Sequence, residues 1–108
     1  MITQAKRHFI ENKIQKNQEL LGGVRWQSPN NYKNDENYFQ ALEKAKQDFH
    51  KVCHLPNGVT WVKVEKVGLQ IVQGRMWWFE VKLSDKKTYQ MEVYQDLQDT
   101  FELDECNK

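Results

Sequence analysis

One stretch of the chain has apolar residues at helical spacing, and the stretch that follows has them at strand spacing. Between Glu36 and Val52 the apolar positions recur at steps of four and three, the period of an amphipathic helix. They are Tyr38, Leu42, Ala45, Phe49 and Val52. Asn34 or Asp35 supplies an N-cap, and Pro56-Asn57-Gly58 ends the helix and turns the chain. The opposite face is charged, so the helix must bury its apolar face against another element.

After Gly58 the apolar residues alternate with polar ones, which predicts a series of antiparallel strands. The predicted strand segments are Val59–Val64 continued by Val67–Ile71, Met76–Leu83, Tyr89–Val93 and Thr100–Leu103. The first is out of phase with its continuation, and a β-bulge near Glu65 and Lys66 would reconcile the two. We therefore predict an α+β fold, with one long helix packed across a curved antiparallel sheet of four to five strands.

Length and composition favour one soluble domain that carries an N-terminal extension. The chain has 108 residues, of which 39% are apolar, enough for one modest core. We expect a flexible or partly helical extension over residues 1–19 and a domain over residues 20–108. The segment Met1–Lys13 is too polar for a signal-peptide core. A net charge of +1 favours neither nucleic acid nor a membrane as partner.

Large aromatic residues are expected in the sheet and its core. Trp26 falls in a polar segment that is predicted to be a loop. Trp77 is predicted to pack inward with Phe79, while Trp78 points to the other side of the sheet, where burial and exposure are both open.

His50, Cys53 and His54 have the spacing of side chains that meet at a helix end. These side chains could in principle bind zinc, but the sequence offers no fourth ligand. They could also form a Cys-His nucleophilic pair, but the sequence offers no third residue to orient the histidine. We expect no metal, no cofactor and no catalytic activity.

Two segments resemble motifs of the cystatins, the reversible inhibitors of papain-like cysteine proteases, and a third departs from the family's pattern. Gln70-Ile71-Val72-Gln73-Gly74 has the Gln-x-Val-x-Gly signature of their first hairpin, and Leu20-Leu21-Gly22-Gly23 looks like the trunk that precedes their helix. The family's second hairpin carries a Pro-Trp pair, but this chain has Gln95-Asp96-Leu97-Gln98 there. Leu97 in that hairpin resembles the stefin branch of the family, which has an aliphatic residue at this place. The resemblance covers about residues 20–106.

The resemblance implies an inhibitor that occludes the cleft of a cathepsin-type protease with three segments. The implied protease-binding residues are Leu20, Leu21, Gly22, Gly23, Gln70, Ile71, Val72, Gln73, Gly74, Asp96 and Leu97. Replacing tryptophan by Leu97 predicts weaker inhibition, because tryptophan is among the commonest interface anchors. The alternative is a non-inhibitory cystatin-fold module that binds another protein or a ligand.

Cysteine usage and assembly are left open by the sequence. Cys106 resembles the last cysteine of secreted cystatins, but that family's usual partner is absent; a Cys53–Cys106 disulfide and two free thiols both remain possible. A secreted or extracellular protein is expected, with a cytoplasmic one as the alternative. We expect a monomer, with a dimer that exchanges the first hairpin as the alternative.

Overall fold

The computed structural model describes residues 25–108, which form one α-helix and a five-stranded antiparallel sheet. Their bounds are β1 Trp26–Gln27, a 3-10 helix Pro29–Tyr32, α1 Glu36–Val52, β2 Trp61–Val72, β3 Gly74–Leu83, β4 Thr88–Gln95 and β5 Phe101–Asn107. The strands lie in the sheet in chain order, so β2 to β5 form a meander. The predicted α+β class, with one helix against an antiparallel sheet, is confirmed.

Helix α1 begins and ends where local signals predict. The Oδ1 atom of Asp35 accepts hydrogen bonds from the backbone N of Asn37 at 2.9 Å and of Tyr38 at 3.2 Å, which is an N-cap. The buried helix residues are Tyr38, Ala41, Ala45 and Phe49, which all face the sheet. Helix packing therefore follows the predicted apolar face, with Ala41 as an added buried position.

The sheet differs from the predicted one at both edges. The predicted loop at Trp26 is wrong, because Trp26 pairs with Gly68 as part of β1. The last strand runs to Asn107 and not to Leu103, because its polar second half pairs with β4. The predicted bulge in β2 is confirmed by a register shift between Val64 and Lys66.

Apolar residues are buried on both faces of the sheet. On the helix side, Trp77 and Phe79 are fully buried and their rings stack at 6.5 Å between centroids, as predicted. On the other side, Met76, Trp78 and Tyr94 form a second buried cluster, which we call the outer cluster. Trp78 is only 1% exposed, which settles the question that the sequence left open.

A disulfide joins the helix to the last strand. Cys53, the C-cap residue of α1, is bonded to Cys106 in β5. Within residues 25–108, no helix has both the length and the apolar content needed to cross a membrane.

Candidate functional site

Two of the three predicted binding segments lie together at one end of the sheet. Val72 pairs directly with Gly74, so Gln73 is the tip of the β2–β3 turn. The β4–β5 turn, Asp96 to Thr100, lies beside it: Gly74 and Asp96 are in contact distance. The third segment, Leu20–Gly23, lies outside the described residues.

Gly74 is required by the neighbouring turn of this same chain. Its φ of 102° lies in the left-handed region that favours glycine. A Cβ atom at this position would stand 2.3 Å from the backbone oxygen of Gln95 and 3.2 Å from the Cα of Asp96. This glycine therefore allows the two turns of the protein to pack together.

A side-chain hydrogen bond also ties the first turn to strand β4. The hydroxyl of Tyr94, at the end of β4, donates to the backbone oxygen of Gln73. Tyr94 is buried, and its ring packs with Met76 and Trp78 in the outer cluster. The tip of the first turn is therefore attached to the fourth strand, and the two turns form one continuous surface.

The apolar side chains on this surface are aliphatic. Ile71 in the first hairpin and Leu97 in the second are each 65% exposed. They line a shallow groove of about 300 Å³ together with Gly74, Arg75, Asp96 and Asp99. The groove lies between the two turns; we call the turns together, residues 71–74 and 96–99, the ridge, which offers apolar contact area with charged groups close by.

Other predicted binding residues have roles inside the protein. Val72 packs against the outer cluster. The Oε1 atom of Gln70 is buried and has no hydrogen-bond partner in the described part of the chain, so it does not face solvent. Of the two glutamines, Gln73 has the exposed side chain. The carboxylate of Asp96 accepts from the backbone N of Gln98 and of Thr100, each at 2.9 Å, and so shapes its own turn.

Four residues of this region were not predicted from the sequence. Arg75, Gln95 and Asp99 line the groove, while Tyr94 supports it through its bond to Gln73. The adjacency of Tyr94 and Gln95 to a predicted turn was the available signal. Their partners are far away in the sequence, so their roles could not be inferred from it.

The candidate metal and nucleophile residues lie at the C-terminal end of helix α1. The sulfur of Cys53 is committed to the disulfide, so it supplies neither a thiolate ligand nor a nucleophile while the bond is intact. The Nε2 atom of His50 lies 2.6 Å from the backbone oxygen of Val59, a hydrogen bond that links the helix to the following loop. His50 thus has a structural partner.

One carboxyl group on the outer face of the sheet has an unusual protonation equilibrium. Glu92 lies opposite Trp78 on one side and Glu105 on the other. Burial of the carboxyl group is the largest of the effects that raise the pKa of Glu92 to about 7. Glu105 adds to the rise through a hydrogen bond and charge repulsion, and Asp104 adds further repulsion. The hydrogen bond from Trp78 lowers the pKa but does not offset these effects. This pair lies on the two strands that carry the second turn.

No protein-family model matches the chain, and no curated protein matches it.

Proposed function

We propose that this chain is a reversible, tight-binding inhibitor of papain-like cysteine proteases and a member of the cystatin superfamily. The observation that carries the proposal is that the turn with the Gln-x-Val-x-Gly motif meets the β4–β5 turn, which stands in the place of the Pro-Trp hairpin, at one end of the sheet. Each turn contributes one aliphatic side chain, Ile71 or Leu97, that is mostly exposed. A narrow ridge of this kind suits insertion into a cleft, and a tight turn does not present an extended peptide bond to a nucleophile.

The binding free energy would come mainly from apolar burial. Fully burying a side chain of this size contributes about 1.5 to 3 kcal/mol, so Ile71 and Leu97 are the principal contacts from the described residues. The trunk Leu20–Gly23 would supply the third segment. Trp77 and Trp78 are buried and do not replace the missing tryptophan anchor. We therefore expect weaker inhibition than a cystatin with the Pro-Trp pair achieves.

Titration of papain and cathepsin L with the purified chain tests the proposal. We expect reversible inhibition, with either a stoichiometric titration end point or a submicromolar inhibition constant. If neither enzyme loses activity at micromolar inhibitor, the proposal is wrong.

Charged substitutions at the ridge locate the interaction. Leu97→Asp and Ile71→Asp should each raise the inhibition constant by roughly 10-fold or more, because a carboxylate would be desolvated in the cleft. Val62→Asp is the matched control, since Val62 is 52% exposed on β2 but lies at the other end of that strand. It should leave the inhibition constant within about twofold.

Gly74→Trp is a poorer test of the same idea. A side chain at Gly74 would collide with the second turn of the protein itself, so lost inhibition would not distinguish a blocked contact from a distorted ridge. Leu97 and Ile71 avoid this problem because their side chains already project into solvent.

A non-inhibitory binding module is the alternative, motivated by the absent Pro-Trp pair. Such a module would bind its partner through exposed aromatic residues, and among residues 25–108 the large aromatic side chain that is exposed is Phe39, on helix α1. A chain that binds a partner through Phe39 and fails to inhibit either protease would favour this alternative.

The disulfide supports a secreted or extracellular location for the proposed inhibitor. Structural disulfides form and persist in oxidising compartments, and the Cys53–Cys106 bond closes a long segment of chain. Alkylation before and after reduction, read by mass spectrometry of the protein from its native source, tests this; free thiols in the unreduced protein would contradict it.

A further inference from the structure

Gln95 is a buried polar residue at the base of the second turn. It is the last residue of β4, is only 3% exposed, and directly precedes Asp96. Burying a carboxamide is unfavourable unless its hydrogen-bonding groups have partners. The contacts of this side chain therefore indicate what keeps it there.

The Gln95 carboxamide has a partner for each of its polar groups. Its Oε1 atom accepts from the indole Nε1 of Trp77 at 3.0 Å. Its Nε2 atom donates to Oδ1 of Asn37 at 3.0 Å and to Oδ1 of Asp99 at 2.9 Å. These contacts use the carbonyl oxygen and both amide hydrogens of the side chain.

The three partners belong to three different parts of the domain. Trp77 is in the fully buried centre of β3, and Asn37 is in the first turn of α1, where its backbone N is held by the N-cap Asp35. Asp99 belongs to the turn itself and has a φ of 61°, in the left-handed region. One buried side chain thus connects the turn to the core and to the capped end of the helix.

The turn has its own hydrogen bonds above this connection. The backbone N of Asp96 donates to the oxygen of Thr100, and that of Asp99 donates to the oxygen of Asp96, each at 3.0 Å. Leu97 stands at the tip, exposed, between these fixed positions. The base of the turn is therefore held at several points, while its apolar side chain remains free to contact a partner.

We infer that Gln95 is the positioning residue of the second turn: it holds Leu97 in the geometry in which it binds the protease. This rests on the proposed function. Gln95 lines the groove but is only 3% exposed, and its polar groups are all bonded within the protein, so it acts through the turn. A turn that is already ordered loses less conformational entropy on binding, which matters more when its anchor is a leucine in place of a tryptophan.

Double-mutant cycles test the inference in the protease assay. Gln95→Met and Leu97→Ala should each weaken inhibition by roughly 10-fold, and their combined effect should fall well short of the product of the two, because Gln95 acts through Leu97. Gln95→Met combined with Ile71→Ala is the matched control, and there the effects should multiply to within about twofold. Independent effects at Gln95 and Leu97, or equal coupling to Ile71, would overturn the inference.

Two substitutions of the exposed Asp99 give a second route should Gln95→Met fail to fold. Asp99→Asn keeps the acceptor oxygen and tolerates a positive φ, so the amide hydrogens of the turn in the free protein should exchange at the wild-type rate. Asp99→Gly keeps the backbone conformation but removes the acceptor, so exchange in the turn should speed up as expected for Gln95→Met. Equal exchange rates in the two variants would contradict the positioning role.

Amide hydrogen exchange of the free protein separates this inference from the proposed function. The backbone N–H groups of Gln98 and Thr100 are bonded to Asp96, and Gln95→Met should speed their exchange by roughly 10-fold. The distant N–H of Thr60, which donates to Ser84, is the control and should not change. Unchanged exchange in the turn would refute the inference. A wild type that inhibits no protease would instead refute the proposed function.

Discussion

The pair formed by Glu92 and Glu105 should make the protein more stable in mild acid. The pKa of Glu92 is raised from its ordinary value of 4.5 to about 7 in the folded state. Between these pH values the folded protein binds a proton that the unfolded chain does not bind, so acidification favours folding. The stabilisation is complete below about pH 4.5 and is lost as the pH rises through about 7.

The size of the effect follows from the same pKa. Each pH unit of difference corresponds to about 1.4 kcal/mol, so a rise from 4.5 to about 7 gives roughly 3 kcal/mol as an upper limit. Glu92 retains some contact with solvent, which reduces the figure. We expect the free energy of unfolding to increase by about 1 to 3 kcal/mol between pH 8 and pH 5.

Urea unfolding at four pH values from 5 to 8, followed by tryptophan fluorescence and circular dichroism, measures this change. Glu92→Gln imitates the protonated carboxyl and should remove most of the pH dependence. Glu43→Gln, on the exposed face of α1, is the control and should keep the wild-type dependence. The reasoning is refuted if wild-type stability is flat or falls on acidification, or if Glu92→Gln retains the wild-type slope.

Two further predictions concern the covalent and backbone constraints of the fold. Reducing the Cys53–Cys106 disulfide, which spans a sequence separation of 53, should lower the free energy of unfolding by ~4 kcal/mol, the loop-closure estimate for that length. Urea titrations with and without reductant measure this, and equal midpoints would contradict it. Gly74→Ala should cost about 2 kcal/mol or more through its positive φ and its clash with Gln95, whereas Gly58→Ala, with open space around it, should stay within about 0.5 kcal/mol. Equal thermal midpoints for the two variants would argue against the packing described for the turns.

Local signals in the sequence were sufficient for the helix and the inner face of the sheet. The step pattern from Tyr38 to Phe49 and the cap at Asp35 fix α1, because the atoms involved are within one or two turns of each other. The alternation that places Trp77 and Phe79 inward is equally local. These features depend on spacing alone.

The edges of the sheet depend on pairing partners that are distant in sequence. Trp26 lies among residues typical of a loop and becomes a strand only because Gly68 of β2 is beside it. The second half of β5 is polar, with Glu105 facing Glu92, and is extended only because β4 continues alongside it. Period-two alternation of apolar residues does not reveal strands of this kind.

The residues of the candidate site could be predicted from sequence motifs, but the contacts that explain their roles could not. Its exposed residues Ile71 and Leu97 were identified from the sequence, as was the glycine between β2 and β3. The reason for that glycine and the role of Gln95 were not, because both depend on contacts between segments that are 18 to 58 residues apart.

The position of the disulfide has a consequence for survival in the presence of proteases. Both turns of the ridge, at Gln73 and at Leu97, lie within the segment closed by Cys53 and Cys106. If a protease cut either turn once, the two fragments would remain joined by the disulfide and paired through the sheet. A single cut at either turn would therefore release neither fragment.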